Sequence, residues 1–227
     1  YKKRKSEKKE KEKIFFLLNN MINFKVSYHN VDLNLIQQIL EKNNNKLDKI
    51  NQSFFDLSLL TISKQTKDLQ DIQRVTKVLV KKKDCFVIFG TGGSNLGARA
   101  LINALQNKNK KKIYFFDNID PIQFSNSIGK FNIDKTGFII ISKSGATPET
   151  LSQFSSIIEI FKSTNNMEEL LKDCVIITEN NNSTLKRIAN QFHCQILDHN
   201  KEIGGRYSVF SNVGLLPACI AGLDIVK

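Results

Sequence analysis

The chain has 227 residues, 41% hydrophobic and 25% charged, which is enough for one sizeable core but not for two full α/β domains. No run approaches about 18 uninterrupted apolar residues, so a membrane-spanning helix is not expected. The net charge is +12, and residues 1–20 begin with a Lys-rich run that predicts a disordered basic tail. No RNA-binding aromatic pattern or zinc-finger spacing accompanies that run, so nucleic acid is not expected as a partner.

The four cysteines are spaced without any CxxC pair. Three of them, Cys85, Cys174 and Cys194, lie in apolar runs typical of buried strands, so we expect free thiols rather than disulfides or a zinc site. Free thiols favour a reducing, cytoplasmic location. No cofactor and no metal constellation is predicted.

Residues 21–83 are predicted to form a helical lead-in. A second apolar run from Leu57 to Leu79 continues the helical pattern, and neither Gly nor Pro occurs before Gly90. Helical periodicity in the first part places apolar residues on one face: Val31, Leu33, Leu35, Ile36 and Leu40.

From residue 84 onward, short apolar runs alternate with amphipathic segments. This pattern predicts an α/β fold over 84–227, a doubly wound, parallel, five-stranded sheet with helices on both faces. The predicted strands are Cys85–Phe89, Ile113–Phe116, Phe138–Ser142, Cys174–Thr178 and Gln195–Leu197. The predicted helices are Leu96–Gln106, Pro121–Ile128, Pro148–Ser163, Met167–Lys172 and Ser183–Gln191. Ligands of such sheets bind beyond the carboxyl ends of the strands.

The loop Ser142–Thr150, SKSGATPET, follows one predicted strand. Pro148 suits the first turn of a helix, which leaves Thr147 at the N-cap. Hydroxyls and free backbone N–H groups therefore gather at a helix N-terminus, whose dipole favours an anion such as phosphate. From composition alone, an ordinary helix capped by Ser and Thr explains the loop equally well.

A glycine-rich loop, Gly90–Gly97, follows the first strand, and its glycines permit a close backbone approach to a ligand. No GK[ST] ends it, so it is not a P-loop. A dinucleotide site is a weak alternative. Asp117 could act as its ribose-binding acid, but Ser142–Thr150 carries more anion donors than that site needs.

Together, the strand followed by GxGGS and the strand followed by SKSGxTxET resemble the SIS (sugar isomerase) domain. The resemblance covers about residues 84–200 and implies a doubly wound module that binds phosphosugars. SIS domains occur in several isomerases and also in sugar-sensing transcription regulators, so it does not select an activity.

The segment Gly204–Ser211 is a glycine turn that delivers Arg206, followed by a predicted amphipathic helix carrying Val213 and Leu216. An arginine can bind an oxyanion in a fork and stabilise charge on the oxygens of a sugar. A surface ion pair is the structural alternative. The run KEIGGRYS at Lys201–Ser208 closely resembles the glucose-6-phosphate isomerase (phosphoglucose isomerase) signature, and NIDP at Asn118–Pro121 resembles a second stretch of that family.

This resemblance implies an aldose–ketose isomerase that interconverts glucose 6-phosphate and fructose 6-phosphate through a cis-enediolate, in glycolysis and gluconeogenesis. Arg206 would stabilise the enediolate. Glu149 would orient a catalytic His, although a helix-stabilising first-turn Glu is an equal alternative. Gly93 and Ser94 would contact the sugar. Ser142, Ser144 and Thr147 would hold the phosphate, with Lys143, Gly145 and Ala146 in the same substrate-binding loop.

In the family, the catalytic Glu, His and Lys follow the arginine motif, in a second SIS half, and the enzyme is a homodimer. The chain is therefore expected to be an N-terminal fragment that binds phosphosugar weakly and turns over negligibly. None of His29, His193 and His199 is assigned a role. Two alternatives stay open: a stand-alone phosphosugar-sensing module, and an isomerase of another sugar phosphate.

Overall fold

The computed structural model describes residues 66–105 and 111–226, together with shorter pieces between 32 and 62. The chain divides into two compact units, residues 1–52 and 53–227. In the first unit the described residues between 34 and 42 are helical. The predicted basic tail (1–20) and much of the predicted lead-in lie outside the described residues.

The second unit contains a five-stranded, all-parallel sheet in the order β2-β1-β3-β4-β5. The predicted fold class is thereby confirmed. The strands are β1 (Cys85–Phe89), β2 (Lys112–Phe116), β3 (Thr136–Ile141), β4 (Val175–Thr178) and β5 (Gln195–Asp198).

The helices that precede and connect these strands are α1 (Ser58–Thr61), α2 (Lys67–Lys82), α3 (Gly93–Ala104), α4 (Pro121–Ile128), α5 (Pro148–Lys162), α6 (Met167–Lys172), α7 (Thr184–Gln191) and α8 (Asn212–Ile220). Two 3-10 turns complete the described elements, Ile133–Lys135 and Gly205–Phe210.

Alternating strand residues build two cores, one on each face of the sheet. Val87 and Phe89 point to the face covered by α4 to α7, where Phe154 and Ile157 of α5 are fully buried. Phe86 and Ile88, with their neighbours, face α2 and α8. Because both faces are covered, the central strand β3 is buried at every position.

The chain reverses its direction of travel across the sheet once. It runs from β1 outward to β2 and then returns to add β3, β4 and β5 on the other side. β1 and β3 are therefore neighbours whose connections leave in opposite directions. In a doubly wound sheet this switch point opens a crevice at the carboxyl ends of the strands.

Two helix predictions differ from the structure by more than a single terminal residue. Helix α3 begins at Gly93, three residues before the predicted start, and the predicted end at Gln106 lies outside the described residues. Helix α8 is not amphipathic, because Val213, Leu216 and Ile220 face one core while the small residues between them are buried too.

The four cysteines are free thiols, two of them, Cys174 and Cys194, fully or nearly buried. Burial raises the pKa of the Cys194 thiol to about 12, so it stays protonated and behaves as a small apolar side chain. Within the described ranges, no three His, Cys, Asp or Glu side chains gather as metal ligands would. No helix in the same ranges combines the length and apolar character needed to cross a bilayer.

Candidate sugar-phosphate site

The candidate site lies at the switch point, where the loops after β1 and β3 meet. The loop after β3 carries SKSGAT and leads into α5 at Pro148. Ser142 and Thr147 close the loop on itself, because their hydroxyl oxygens lie 2.8 Å apart. The Thr147 hydroxyl makes no capping hydrogen bond to the first turn of α5. The N–H groups of that turn are therefore left to bind an anion.

Glycine is required at position 145 of this loop. Gly145 has φ +64°, and a Cβ there would lie 2.0 Å from Ser183 Oγ and 2.8 Å from Thr178 Oγ1. The close approach lets the start of α7 support the phosphate loop: Leu185 N–H donates to the Gly145 carbonyl at 3.0 Å. The Gly145 and Ala146 N–H groups donate within the loop, to Ser142 and Ser144 oxygens, and so fix its shape.

The glycine-rich loop after β1 is in backbone contact with the arginine segment. A Cβ on Gly93 would lie 2.3 Å from the carbonyl group of Gly205 and 2.7 Å from Arg206 N. Asn95 holds this loop from within, since its buried side chain donates to the Gly90 carbonyl at 2.9 Å. Gly93 thus sets the distance between the two loops.

Arg206 lies in the 3-10 turn Gly205–Phe210, which buried hydroxyls hold in place. Ser208 Oγ donates to the Gly205 carbonyl at 2.6 Å, and Ser211 Oγ donates to the Ser208 carbonyl at 2.7 Å. Asn212 ties the turn to the sheet, because its side chain donates to the Asp198 carbonyl at 2.8 Å. The backbone around Arg206 is therefore fixed while its side chain stays exposed.

These loops enclose a shallow cleft of about 450 Å³. Predicted site residues that line it are Gly93, Ser94, Lys143, Ser144, Thr147 and Arg206. Ser142, Gly145 and Ala146 lie in the same loop without lining the cleft, and Glu149 is half-buried on the first turn of α5, also outside it. The position of Glu149 leaves both of its predicted roles open.

The cleft also contains Thr91, Glu179 and Gly205, to which the sequence analysis gave no individual role. Glu179 is the first residue after β4, so its place at the carboxyl edge of the sheet was the signal that could have identified it. Its carboxylate lies 3.5 Å from Lys143 Nζ. Lys143 Nζ also donates to the carbonyls of Lys201 and Ile203, at 2.7 and 3.0 Å.

His199 is buried beside this cluster, directly after β5. It is 1% exposed, and its Nδ1 lies 3.2 Å from the Asn200 carbonyl, which can only accept, so Nδ1 carries the proton. Burial lowers the pKa of His199 below its usual value, and the carbonyl of Asn200 offsets part of that effect. Nε2 finds no hydrogen-bond partner within the described ranges. The ring is therefore a buried, neutral group behind the cleft and does not line it.

The stretch Asn118–Pro121 has a local structural role. Asp120 caps α4 by accepting hydrogen bonds from Ile122 N and Gln123 N at 2.9 and 3.0 Å. Gln153 of α5 donates to the Asn118 carbonyl at 2.9 Å. The stretch therefore joins β2 to α4 and α5 and does not reach the cleft.

A larger groove, of about 900 Å³, runs along the edge strand β2. Its polar residues include Arg99 and Asp117, which pair at 3.4 Å. None of the hydroxyl-bearing residues of the phosphate loop lines it. We assign the site to the smaller cleft because the helix N-terminus, the hydroxyls and Arg206 converge there.

A sequence model of the phosphoglucose isomerase family matches residues 67–227. The glucose-6-phosphate isomerase of Campylobacter jejuni is 30% identical over 214 residues, covering 92% of this chain and 49% of that protein. A hypothetical protein of Thermus thermophilus, 25% identical, superposes with a TM-score of 0.73 over 86% of this chain and 48% of that one. For the glucose-6-phosphate isomerase of Chlamydia trachomatis, also 25% identical, the TM-score is 0.59 over 67% of this chain and 29% of that one.

The parallel sheet and the loops at its switch point define an α/β protein of the SIS type. The match to the family model spans well over half of the residues, and the chain belongs to the phosphoglucose isomerase family. It spans about half the length of the curated relatives it matches.

Proposed function

We propose that this chain forms the phosphate-binding part of an enzyme that interconverts glucose 6-phosphate and fructose 6-phosphate, a step of glycolysis and gluconeogenesis. The observation that carries the proposal is the meeting of three loops in one cleft. The loop after β3 leads into the N-terminus of α5, the loop after β1 contributes Gly93, and the turn after β5 carries Arg206. Family membership and the names of the relatives support the choice of substrate.

The phosphate is proposed to lie at the N-terminus of α5. Ser144 and Thr147 face the cleft, and the first-turn N–H groups of α5 lack partners within the helix. Hydroxyls and amides together bind a dianion without a permanent cation. Ser142 contributes through its contact with Thr147, while Gly145 and Ala146 keep the loop in shape.

The sugar is proposed to extend from the phosphate toward Gly93, Ser94 and Arg206. The reaction moves a proton between C1 and C2, and the cis-enediolate carries negative charge on its oxygens. A guanidinium close to those oxygens stabilises the charged state more than the neutral sugar, which lowers the barrier. We assign no described residue as the base. Glu149, beside the phosphate end, is kept as a candidate to orient a histidine.

The family resemblance also supports a cytoplasmic enzyme that acts as a homodimer, and we include both in the proposal. The small-molecule partner in this proposal is the sugar-phosphate substrate. A stand-alone sensing module would need the phosphate loop but gains nothing from a fixed guanidinium. The backbone contact that positions Arg206 therefore favours the isomerase.

Calorimetric titration tests the proposal. Wild-type chain should bind glucose 6-phosphate and fructose 6-phosphate, bind inorganic phosphate more weakly, and show no heat with glucose. Thr147→Val removes one cleft hydroxyl and should weaken glucose 6-phosphate binding at least about tenfold, because a hydrogen bond to a charged group contributes about 1.5–3 kcal/mol. Thr184→Val, at the exposed start of α7, is the matched control. Equal binding of glucose and its phosphate, or no loss in Thr147→Val, would reject the proposal.

A further inference from the structure

The ammonium group of Lys143 is held by the protein through two hydrogen bonds and one ion pair. A lysine has three N–H donors. Three acceptors surround Nζ: the carbonyls of Lys201 and Ile203 at 2.7 and 3.0 Å, and the Glu179 carboxylate at 3.5 Å. The side chains of Lys143 and Glu179 are only 32% and 20% exposed. A phosphate that bound Nζ closely would compete with these acceptors.

The same three contacts join the loops that follow β3, β4 and β5. Ile203 is buried and lies three residues before Arg206, so its carbonyl is on the segment that delivers the guanidinium. Lys143 is also held by its own backbone, because its carbonyl accepts from Glu179 N at 3.1 Å. The lysine therefore links the rigid phosphate loop to the arginine loop.

Releasing Lys143 from these contacts would be costly. The hydrogen bond to Ile203 is partly buried, and a buried carbonyl that loses its donor carries a desolvation penalty. Phosphate has other donors in the cleft, namely the hydroxyls of Ser144 and Thr147 and the N-terminus of α5. Binding the anion through Lys143 would exchange existing bonds for a role that these groups already fill.

We propose that Lys143, with Glu179, is a positioning residue that fixes the loop carrying Arg206 and is not a ligand of the substrate's phosphate. This inference rests on the proposed function for the identity of the substrate. It gives Lys143 a positioning role in place of the expected substrate-binding one. The ion pair with Lys143 also explains why a carboxylate, that of Glu179, lies in a cleft proposed to bind an anion.

Hydrogen exchange tests the positioning role without any ligand. The amides of Glu202, Ile203 and Tyr207 donate hydrogen bonds within the loop and report its order. Lys143→Met should speed their exchange about tenfold relative to the core amides of β3, which serve as the reference for intact folding. Lys201→Met removes an exposed charge from the same loop while keeping its backbone carbonyl, and should leave exchange within about twofold of wild type.

Ligand affinities separate positioning from direct binding. Inorganic phosphate should bind Lys143→Met within about threefold of Lys201→Met. A phosphorylated aldonic acid, whose carboxylate places charge where the enediolate carries it, should bind at least tenfold more weakly to Lys143→Met. In an Arg206→Gln background the lysine substitution should have no further effect on that affinity. Such coupling is a result that a general loss of stability does not produce.

Glu179→Gln gives a second, milder variant that keeps the two carbonyl bonds of Lys143. Because it removes a negative charge from the cleft, it should raise phosphate affinity by the same factor in wild type and in the Lys143→Met background, whereas a lysine that binds phosphate directly would make the gain larger in wild type. A tenfold loss of inorganic phosphate affinity in Lys143→Met relative to Lys201→Met, or unchanged loop exchange, would overturn the inference. If wild type binds no sugar phosphate, the proposed function fails, while the exchange result still decides the role of Lys143.

Discussion

At the residue level, the phosphate loop depends on glycine at position 145. A side chain there would need the left-handed backbone conformation, which costs about 1–2 kcal/mol, and would also collide with Ser183. We expect Gly145→Ala to lower the free energy of unfolding by about 2–4 kcal/mol, because overpacking adds to the backbone cost. Urea unfolding measures the change.

Gly204→Ala is the matched control for that substitution. Gly204 has φ −63°, and a Cβ there would meet only the Tyr207 ring at an ordinary 3.4 Å. Its stability should stay within about 0.5 kcal/mol of wild type, as for an unstrained surface position. Equal stabilities of the two variants would show that the tight packing around Gly145 is not required.

His199 should make stability depend on pH. Burial holds its pKa below the ordinary value, which is about 6.5 in an unfolded chain. Below that pH the unfolded chain binds a proton that the folded chain does not. The free energy of unfolding should therefore fall as the pH decreases from about 6.5 toward the folded pKa, by at most about 1.4 kcal/mol per pH unit from this residue.

Urea unfolding at pH 7.5, 6.5 and 5.5 checks this dependence. His199→Gln should have a flatter profile than wild type, whatever its absolute stability. His193→Asn, a change at an exposed position that tolerates the left-handed conformation, is the control for replacing a histidine elsewhere in the fold. An identical slope in His199→Gln would assign the pH dependence to other groups.

At the level of the elements, helix α5 combines the phosphate site with the core. Its first turn faces the cleft, while Ile157, two turns later, is fully buried against β1 and β3. Ile157→Ala should destabilise the fold by about 2–5 kcal/mol. Ile122 of α4 is 72% exposed, so Ile122→Ala should change stability by less than about 0.5 kcal/mol. Thermal unfolding measures both changes. Similar losses of stability in Ile157→Ala and Ile122→Ala would contradict the assignment of Ile157 to the core.

The elements could be predicted where capping or turn-forming residues mark the ends of an apolar run. β1 occupies the predicted residues because Asp84 and Gly90 flank five apolar residues, and α4 starts where Asp120 and Pro121 provide a cap and a first turn. The start of α3 was predicted too late. Glycines disfavour helix interiors, and the glycine-rich sequence of the first turn resembles a loop.

The burial of α8 and the assembly of the cleft could not be predicted from spacing. Sequence periodicity reports one apolar face, whereas α8 is enclosed by α2, α3 and the 3-10 turn together. Glu179 and the carbonyls that hold Lys143 each lie more than thirty residues after it in the sequence. Their meeting depends on the order of the strands, which the local pattern does not encode.

At the level of the whole unit, the strand order explains where the site lies. Reversal between β2 and β3 places the loops after β1 and β3 side by side, and the arginine turn after β5 packs on α3 behind the first of them. Gly93 then allows backbone contact between the two. The predicted homodimer, cytoplasmic location and basic tail concern features outside these residues and stay predictions.

The central claim is that a sugar phosphate binds in the cleft at the switch point. Mapping amide chemical shifts by NMR during a titration with glucose 6-phosphate tests it most directly. The ligand should shift the amides of Gly93, Ser94, Ser144, Thr147 and Arg206 in a saturable manner, and inorganic phosphate should shift only the subset near the start of α5. Saturable shifts confined to the β2 groove around Arg99 and Asp117, or the absence of shifts at the carboxyl edge of the sheet, would contradict it.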